Sequence, residues 1–425
     1  MRGLPRAFWL CLLTFACGKV NPAGDAIDSG VARDDGGDDD GETDARPLPT
    51  EPPVADGQAA ELVLGAPDFA TPATGGGPAD DEFGHATGMT SDQERLLVID
   101  LFNARALQFN SQPLVNQSAA DLVIGQANFN EAVAGPDGLH LTVPELLLGG
   151  ARGDVASGGE VLVVADGEAN RVVVWHSLPE SNGVDWDIVL GQTTPTGSAA
   201  GLADDRLSGP MGVWTDGEVL IVADSGNNRV LIWNTIPTAS GEAADVVLGQ
   251  ADFDSAEAPD PPTPSSMNTP VDVFFDGERL YVSDNQNNRV MVWNGMPSEN
   301  HAPADFFVGQ NSGATGTPNA GAGSQEENAF GIHLPGEITV AHGSLYIVDQ
   351  VNFRVVVHTP RPTGSGEAAD AVLGDSSLDG AELSDPDQAF TPRGVAVFGD
   401  KLFLADSNPA AGSSRILRYQ LTNLP

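Results

Sequence analysis

Lysine is almost missing from this 425-residue chain; Lys19 and Lys401 are the only two. Bases total 19 against 60 acids, a formal charge of −41. Within residues 57–425 the count is 49 acids to 14 bases, net −35. Such a surface repels phosphate and anionic headgroups, which argues against a nucleic-acid partner or electrostatic docking on a membrane. The two cysteines, Cys11 and Cys17, both lie near the N-terminus, so no disulfide staples the rest of the chain. No apolar run reaches the roughly 20 residues of a permanent membrane helix. The phosphate loop, dinucleotide fingerprint, nucleophile elbow and HExxH zinc motif are all absent from the sequence. What is abundant is Gly (50) and Pro (31), alongside 40% hydrophobic residues. That mixture is too apolar for wholesale disorder and too rich in turn formers for a helical bundle.

The N-terminus reads as an export signal, with Arg2 and Arg6 ahead of an apolar run from Ala7 to Phe15. The segment Leu13-Thr14-Phe15-Ala16-Cys17 resembles a bacterial lipobox, with Thr14 where Leu is usual. The resemblance implies a signal peptide over 1–16 and lipidation of Cys17. It also implies export to the outer membrane or cell surface of a bacterium, with membrane contact through that lipid alone. Residues 17–56 follow as an acidic, disordered tether. Its run Asp34–Asp44 does not fit a calcium loop, because the sixth residue counted from Asp38 is Thr43 rather than Gly. Like charges with nothing apolar to bury keep such a segment extended.

From residue 57 the chain repeats itself. An apolar run ends in Asp, turns, and resumes at Arg in six pairs: Asp100 with Arg105, Asp166 with Arg171, Asp224 with Arg229, Asp284 with Arg289, Asp349 with Arg354, and Asp406 with Arg415. A second anchor is an acid, three mostly apolar residues and a Gly: Glu61 to Gly65, Asp121 to Gly125, Asp187 to Gly191, Asp245 to Gly249, Asp305 to Gly309 and Asp370 to Gly374. From Arg to the next Gly the separation is 20 residues in the first five units (105 to 125, 171 to 191, 229 to 249, 289 to 309, 354 to 374). Constant spacing marks a repeat architecture. The Val, Ile and Leu runs on either side of each Asp–Arg turn read as strands buried on both faces. Pro210 and Pro270 open an earlier strand that closes on Asp-Gly turns. Each unit is therefore a four-stranded antiparallel meander, and six of them fit an all-β, six-bladed propeller over 57–425. The first fourth-strand motif, Glu61–Gly65, precedes every complete unit, while the chain ends on a third strand at Ile416–Tyr419. The N-terminal strand is thus expected to complete the last blade and close the ring.

The segments Asp224-Ser225-Gly226-Asn227-Asn228-Arg229-Val230 and Asp284-Asn285-Gln286-Asn287-Asn288-Arg289-Val290, each preceded by Pro and an apolar strand, resemble NHL repeats. The likeness covers essentially all of 57–425. It departs at Ala86, where Pro is usual, and in the last unit, which has four extra residues between Asp406 and Arg415. The resemblance implies six blades and a choice among protein binding, RNA binding and, in one branch, metal-dependent lyase chemistry. Fold carries over on this basis and activity does not.

A group present in every unit serves every unit, so the six Asp–Arg pairs are expected to be structural, with Asn in the turns accepting positive φ. The acids opening the fourth strands read as edge charges, and Trp175, Trp233 and Trp293 as core between blades. Function is expected where units differ. The gap from Gly to the next first-strand Pro is 19 residues for Gly191 to Pro210, 21 for Gly249 to Pro270, 26 for Gly309 to Pro335 and 18 for Gly374 to Pro392. These crossovers should emerge on the face that carries the Asp–Arg turns. That is how binding faces are built on constant scaffolds. The expected role is a non-enzymatic, monomeric binding or scaffolding module for a protein, peptide or glycan. The alternative is a metal-dependent lyase or hydrolase at the channel mouth. There His85, His140 and His333, each shortly before an expected first strand (at Ala86, Pro144 and Pro335), would hold a divalent metal with an open position. No other cofactor is expected.

Overall fold

The computed structural model describes residues 49–71, 78–92, 94–135, 140–141, 155–158, 160–321, 328–374, 390–408 and 413–424. The leader, Cys17, the tether up to residue 48, and Pro144 lie outside this set. The described strands form six four-stranded sheets. Blade 1 comprises Ala86–Ser91, Leu96–Asp100, Arg105–Phe109 and Leu122–Ile124, and blade 2 comprises Val155–Gly158, Val161–Asp166, Arg171–Trp175 and Ile188–Leu190. Blade 3 is Pro210–Thr215, Leu220–Asp224, Arg229–Trp233 and Val246–Leu248; blade 4 is Pro270–Phe275, Leu280–Asp284, Arg289–Trp293 and Phe306–Val308. Blade 5 is Pro335–Ala341, Ser344–Asp349, Arg354–His358 and Ala371–Leu373. Blade 6 takes Pro392–Phe398, Lys401–Asn408 and Ser413–Gln420 from the C-terminus and Leu62–Leu64 from the N-terminus. First strands of successive blades touch one another around the ring, blade 6 meeting blade 1, so this is a closed six-bladed propeller.

Closure is made as expected, by the N-terminal strand completing the last blade. Leu62 pairs with Arg418, Val63 with Leu417 and Leu64 with Ile416. The packed chain begins ahead of residue 57. Val54 is buried in the core between blades 5 and 6, and the Pro53 carbonyl accepts the Thr422 N–H at 2.8 Å. Six apolar clusters fill the seams between neighbouring blades. One joins Val163, Val172 and Leu190 of blade 2 to Val222, Leu231 and Trp233 of blade 3. Trp175, Trp233 and Trp293 occupy three successive seams. Their indole N–H groups donate to Val184, Glu242 and Ala302 carbonyls.

Each fourth strand ends on a left-handed Gly packed by an apolar residue of the following crossover. At Gly309 (φ 83°) a Cβ would lie 2.4 Å from Ile332, and at Gly374 (φ 92°) 2.2 Å from Phe390. Leu141 packs in the same way against Gly125. The described part of the innermost strand of blade 2 is Val155–Gly158, with Val155 paired to Val164, and the Pro144 expected near its start lies outside the described residues.

The acids opening the fourth strands have a task that the edge-charge reading misses. Oδ2 of Asp121, Asp187, Asp245, Asp305 and Asp370 accepts the N–H of Asn110, His176, Asn234, Asn294 and Thr359, at 2.7–2.8 Å, just past the third strand of the same blade. Free N–H groups on the outer edges are capped from the next blade instead. Asn116, Asn182, Ser240, Asn300 and Ser365 accept from Val63, Val123, Val189, Val247 and Phe307. In blade 6 the N-terminal segment supplies the equivalent cap: Asp56 Oδ1 accepts the Val372 N–H at 2.9 Å.

His358 stands where blades 2 to 4 carry Trp, its Nδ1 3.1 Å from the Ala368 carbonyl. Desolvation pushes its pKa from 6.5 down to about 4. The unfolded chain therefore binds the extra proton between these values, and stability falls as pH drops through that window. Relative to pH 7, the loss at pH 5 is about 2 kcal/mol. Urea unfolding at the two pH values should show that increment in the wild type and its removal in His358→Trp.

Candidate functional site at the crossover face

The six Asp–Arg pairs are hubs buried under the crossover loops. Nε of the arginine donates to Oδ2 of its Asp at 2.7–2.8 Å in every blade. Both side chains are fully buried in blades 1, 3, 4 and 5. In blade 3, Arg229 Nη2 donates to the carbonyls of Ala203 and Arg206 in the incoming crossover, and Nη1 to Phe253 in the outgoing one. Asp224 Oδ1 accepts the Ser208 N–H, and Oδ2 also accepts Nδ2 of Asn227. Blade 4 repeats this with Arg289, Thr263, Ser266 and Gly313. Burial pushes the carboxyls of Asp224, Asp284 and Asp349 up, while the guanidinium and N–H donors pull them down. Blade 6 differs because its extra residues extend the hairpin beyond Asp406–Arg415, pairing Ser407 with Ser414. Arg415 there is partly exposed, and its Nη1 reaches Phe69 O at 3.1 Å.

Two further repeated side chains belong to this lattice. The turn residues Asn170, Asn228 and Asn288 adopt φ of 50–53°. Their Oδ1 atoms accept N–H groups of Gly209, Thr269 and Leu334 in the next blade. Gln126, Gln192, Gln250 and Gln310, directly after the fourth-strand Gly, donate Nε2 both to the preceding turn and to their own crossover. The signal for these glutamines was a fixed position one residue beyond the Gly anchor.

The three histidines considered for metal binding occupy inequivalent places. His140 precedes the apolar residue packed on Gly125, and its carbonyl accepts Arg171 Nη2 at 3.0 Å. His333 follows the corresponding Ile332, and its N–H donates to Asp349 Oδ1 at 2.7 Å. His85 lies two residues after Phe83, buried and stacked on Phe102 with ring centroids 4.7 Å apart. Among the described residues no three His, Cys, Asp or Glu side chains are placed to share a metal ion. Desolvation lowers the pKa of His333, opposed by Asp349.

Below the mouth, the channel is lined by first strands and holds a cavity of about 170 Å³ beside Thr90, Trp214, Phe274 and Val340. Two buried carboxylates bridge it. Asp272 Oδ2 accepts the Ile338 N–H at 2.7 Å, and Glu337 Oε1 accepts the Met89 N–H at 2.9 Å. Glu337 thereby reaches from blade 5 past blade 6 to blade 1. A Cβ on Gly394 would sit 2.5 Å from its Oε2, so only Gly leaves the path open. These acids are committed to joining blades.

No protein-family model matches the chain, and no curated protein matches it in sequence. Similar solved structures include a nidogen/laminin complex (14% identity, 68% of this chain and 84% of that one, TM-score 0.36). A streptogramin B lyase matches at 14% identity over 81% and 84%, TM-score 0.40. The pyrroloquinoline-quinone-bound aldose sugar dehydrogenase of Streptomyces coelicolor matches at 15% over 82% and 97%, TM-score 0.45. At these scores the likenesses carry no functional information.

Arg229→Met tests the hub. It leaves Asp224 buried without its cation, and the expected cost is about 3–5 kcal/mol in urea unfolding. A cost under about 1 kcal/mol, the range of an exposed pair, would show that the pair is dispensable.

Proposed function

We propose that this chain is an exported bacterial lipoprotein, anchored through Cys17, whose NHL-type propeller is a non-enzymatic binding or scaffolding module working through its crossover face. The observation that carries this reading is a division of labour. The repeated polar side chains are spent on one another, whereas the crossovers pinned above them differ in length and sequence. That face also exposes bulky apolar groups on several blades, namely Phe69, Val133, Leu202, Phe330 and Phe353. Leu114, Val115 and Val184 are exposed on the opposite face, so the choice of face rests on the variable crossovers rather than on apolar exposure. The strongly acidic surface disfavours nucleic acid as the partner.

The test uses the full chain in the cell that makes it, with a photo-crosslinking residue at Phe330 on the crossover face or at Leu114 on the opposite one. Crosslinked adducts are expected from Phe330 and not from Leu114, and metabolic palmitate labelling is expected to disappear in Cys17→Ser. Adducts confined to Leu114 would overturn the choice of face. A stoichiometric divalent ion lost on His85→Ala or His333→Ala would replace the binding module by the metal-dependent enzyme. Labelling that survives Cys17→Ser would remove the anchor.

A further inference from the structure

At the crossover end of blade 5 and the start of blade 6, three buried side-chain nitrogens have no hydrogen-bond partner. Among the described lysines and arginines, Arg393 has neither a hydrogen bond nor an ion pair. Its Nε is buried without a partner, and desolvation lowers its pKa. It lies in the irregular stretch of the innermost strand of blade 6, between Pro392 and Gly394, at the crossover end of the channel. Gln350 Nε2 is also buried and unpartnered. Its counterparts Ser225 and Asn285 donate to the carbonyls of Pro270 and Pro335, the prolines that open the next blade. Gln350 holds the same turn position, from which its counterparts reach the proline that opens the next blade; the corresponding proline here is Pro392, adjacent to Arg393. His333 Nδ1 is the third orphan, and the Val351 N–H donates to the His333 carbonyl, which places it beside the same turn.

The apolar side chains here are equally out of pattern. Phe353 adopts φ 52°, where three other blades use Asn and blade 1 uses Ala, and it is 41% exposed. A bulky residue in the left-handed region is a strained choice, and such strain collects at functional positions. Phe330 is 52% exposed, and Arg354 ties its segment to this turn by donating to the Asn328 and Gly331 carbonyls. A Cβ on Gly374 would meet both the Phe390 ring and the Phe353 carbonyl, so the start of blade 6 packs on the same turn.

We propose that this quadrant binds an organic carboxylate bearing an aromatic group, with Arg393 receiving the carboxylate, Gln350 and His333 supplying further donors, and Phe330 and Phe353 holding the ring. The inference rests on the crossover face being the binding face and names the chemistry that face selects. The unpaired guanidinium of Arg393 supplies the local positive charge that an anion needs against a chain of net charge −41, and its planar fork suits a carboxylate.

Titration calorimetry on the full chain tests this, with N-acetylphenylalanine as probe and its amide as control. The acid should bind saturably and at least about tenfold more tightly than the amide, as a charge-assisted contact requires. Arg393→Gln should lose about the same factor with an unchanged thermal midpoint. Phe353→Asn should weaken binding yet raise the midpoint by about 2 °C by relieving the backbone, a pairing that a purely structural Phe would not show. Tighter binding of a peptide ending in Phe than of N-acetylphenylalanine assigns the carboxylate to a protein C-terminus; equal or weaker binding of the peptide assigns it to a free acid. Absence of saturable binding at millimolar concentration, or an Arg393→Gln protein that binds like the wild type, overturns the site. Chemical alteration of the bound acid, followed by NMR, would keep the site and overturn the non-enzymatic reading.

Discussion

A buried guanidinium must fill all its donors at once, and in this propeller that demand organises the molecule. In blades 1 to 4 the hub arginine takes its own Asp through Nε and backbone carbonyls through Nη1 and Nη2. Since those carbonyls belong to the crossovers before and after the blade, one side chain sets the position of two loops and one seam. The Asp completes the arrangement by accepting the N–H that leads into its own innermost strand. A charged pair is a costly thing to bury, and here the cost is offset by satisfying loop backbone that would otherwise need water. The crossovers can therefore vary in length between their pinned points without loosening the ring.

The outer rim follows a parallel logic. A ring of separate sheets has six outer strands with unpaired N–H groups, each an invitation to aggregate. Short fourth strands and side-chain caps from the next blade remove that hazard. The N-terminal segment enters this cycle twice, as the fourth strand of blade 6 and as the cap that Asp56 places on blade 5. Closure is thus made by pairing, by apolar burial at Val54 and by a polar cap, all within one short stretch of chain.

Interactions internal to one repeat were readable in advance. The Asp–Arg spacing, the Asn at positive φ and the Trp in the seams recur at fixed offsets, so they announce themselves as scaffold. Contacts between repeats were not readable, because Asn116 capping Val63 or Glu337 reaching Met89 depends on the curvature of the closed ring. The edge-charge reading of Asp121 and its equivalents, which are exposed on the outer strands, was incomplete for a related reason: the position does not reveal that the carboxylate also accepts an N–H of its own blade. The register of blade 2 could not be read in advance because its long crossover has no counterpart in the other units; the pairing of Val155 with Val164 supplies it. The candidate site at Arg393 left only a faint trace in the sequence, as departures from the repeat at Gln350, Phe353 and Arg393 that gain meaning once their satisfied counterparts are seen.

Native-state hydrogen exchange in the Arg229→Met protein addresses the hub directly. Gly201, Ala203 and Ser208 donate their N–H groups within the knot that Arg229 and Asp224 hold. If the arginine pins the crossovers, these amides lose protection while those of the remote blade 6 strands keep theirs. Crossover amides that exchange as slowly as in the wild type would show that the loops hold themselves, and the hub would then no longer be the origin of the constant scaffold beneath a variable face.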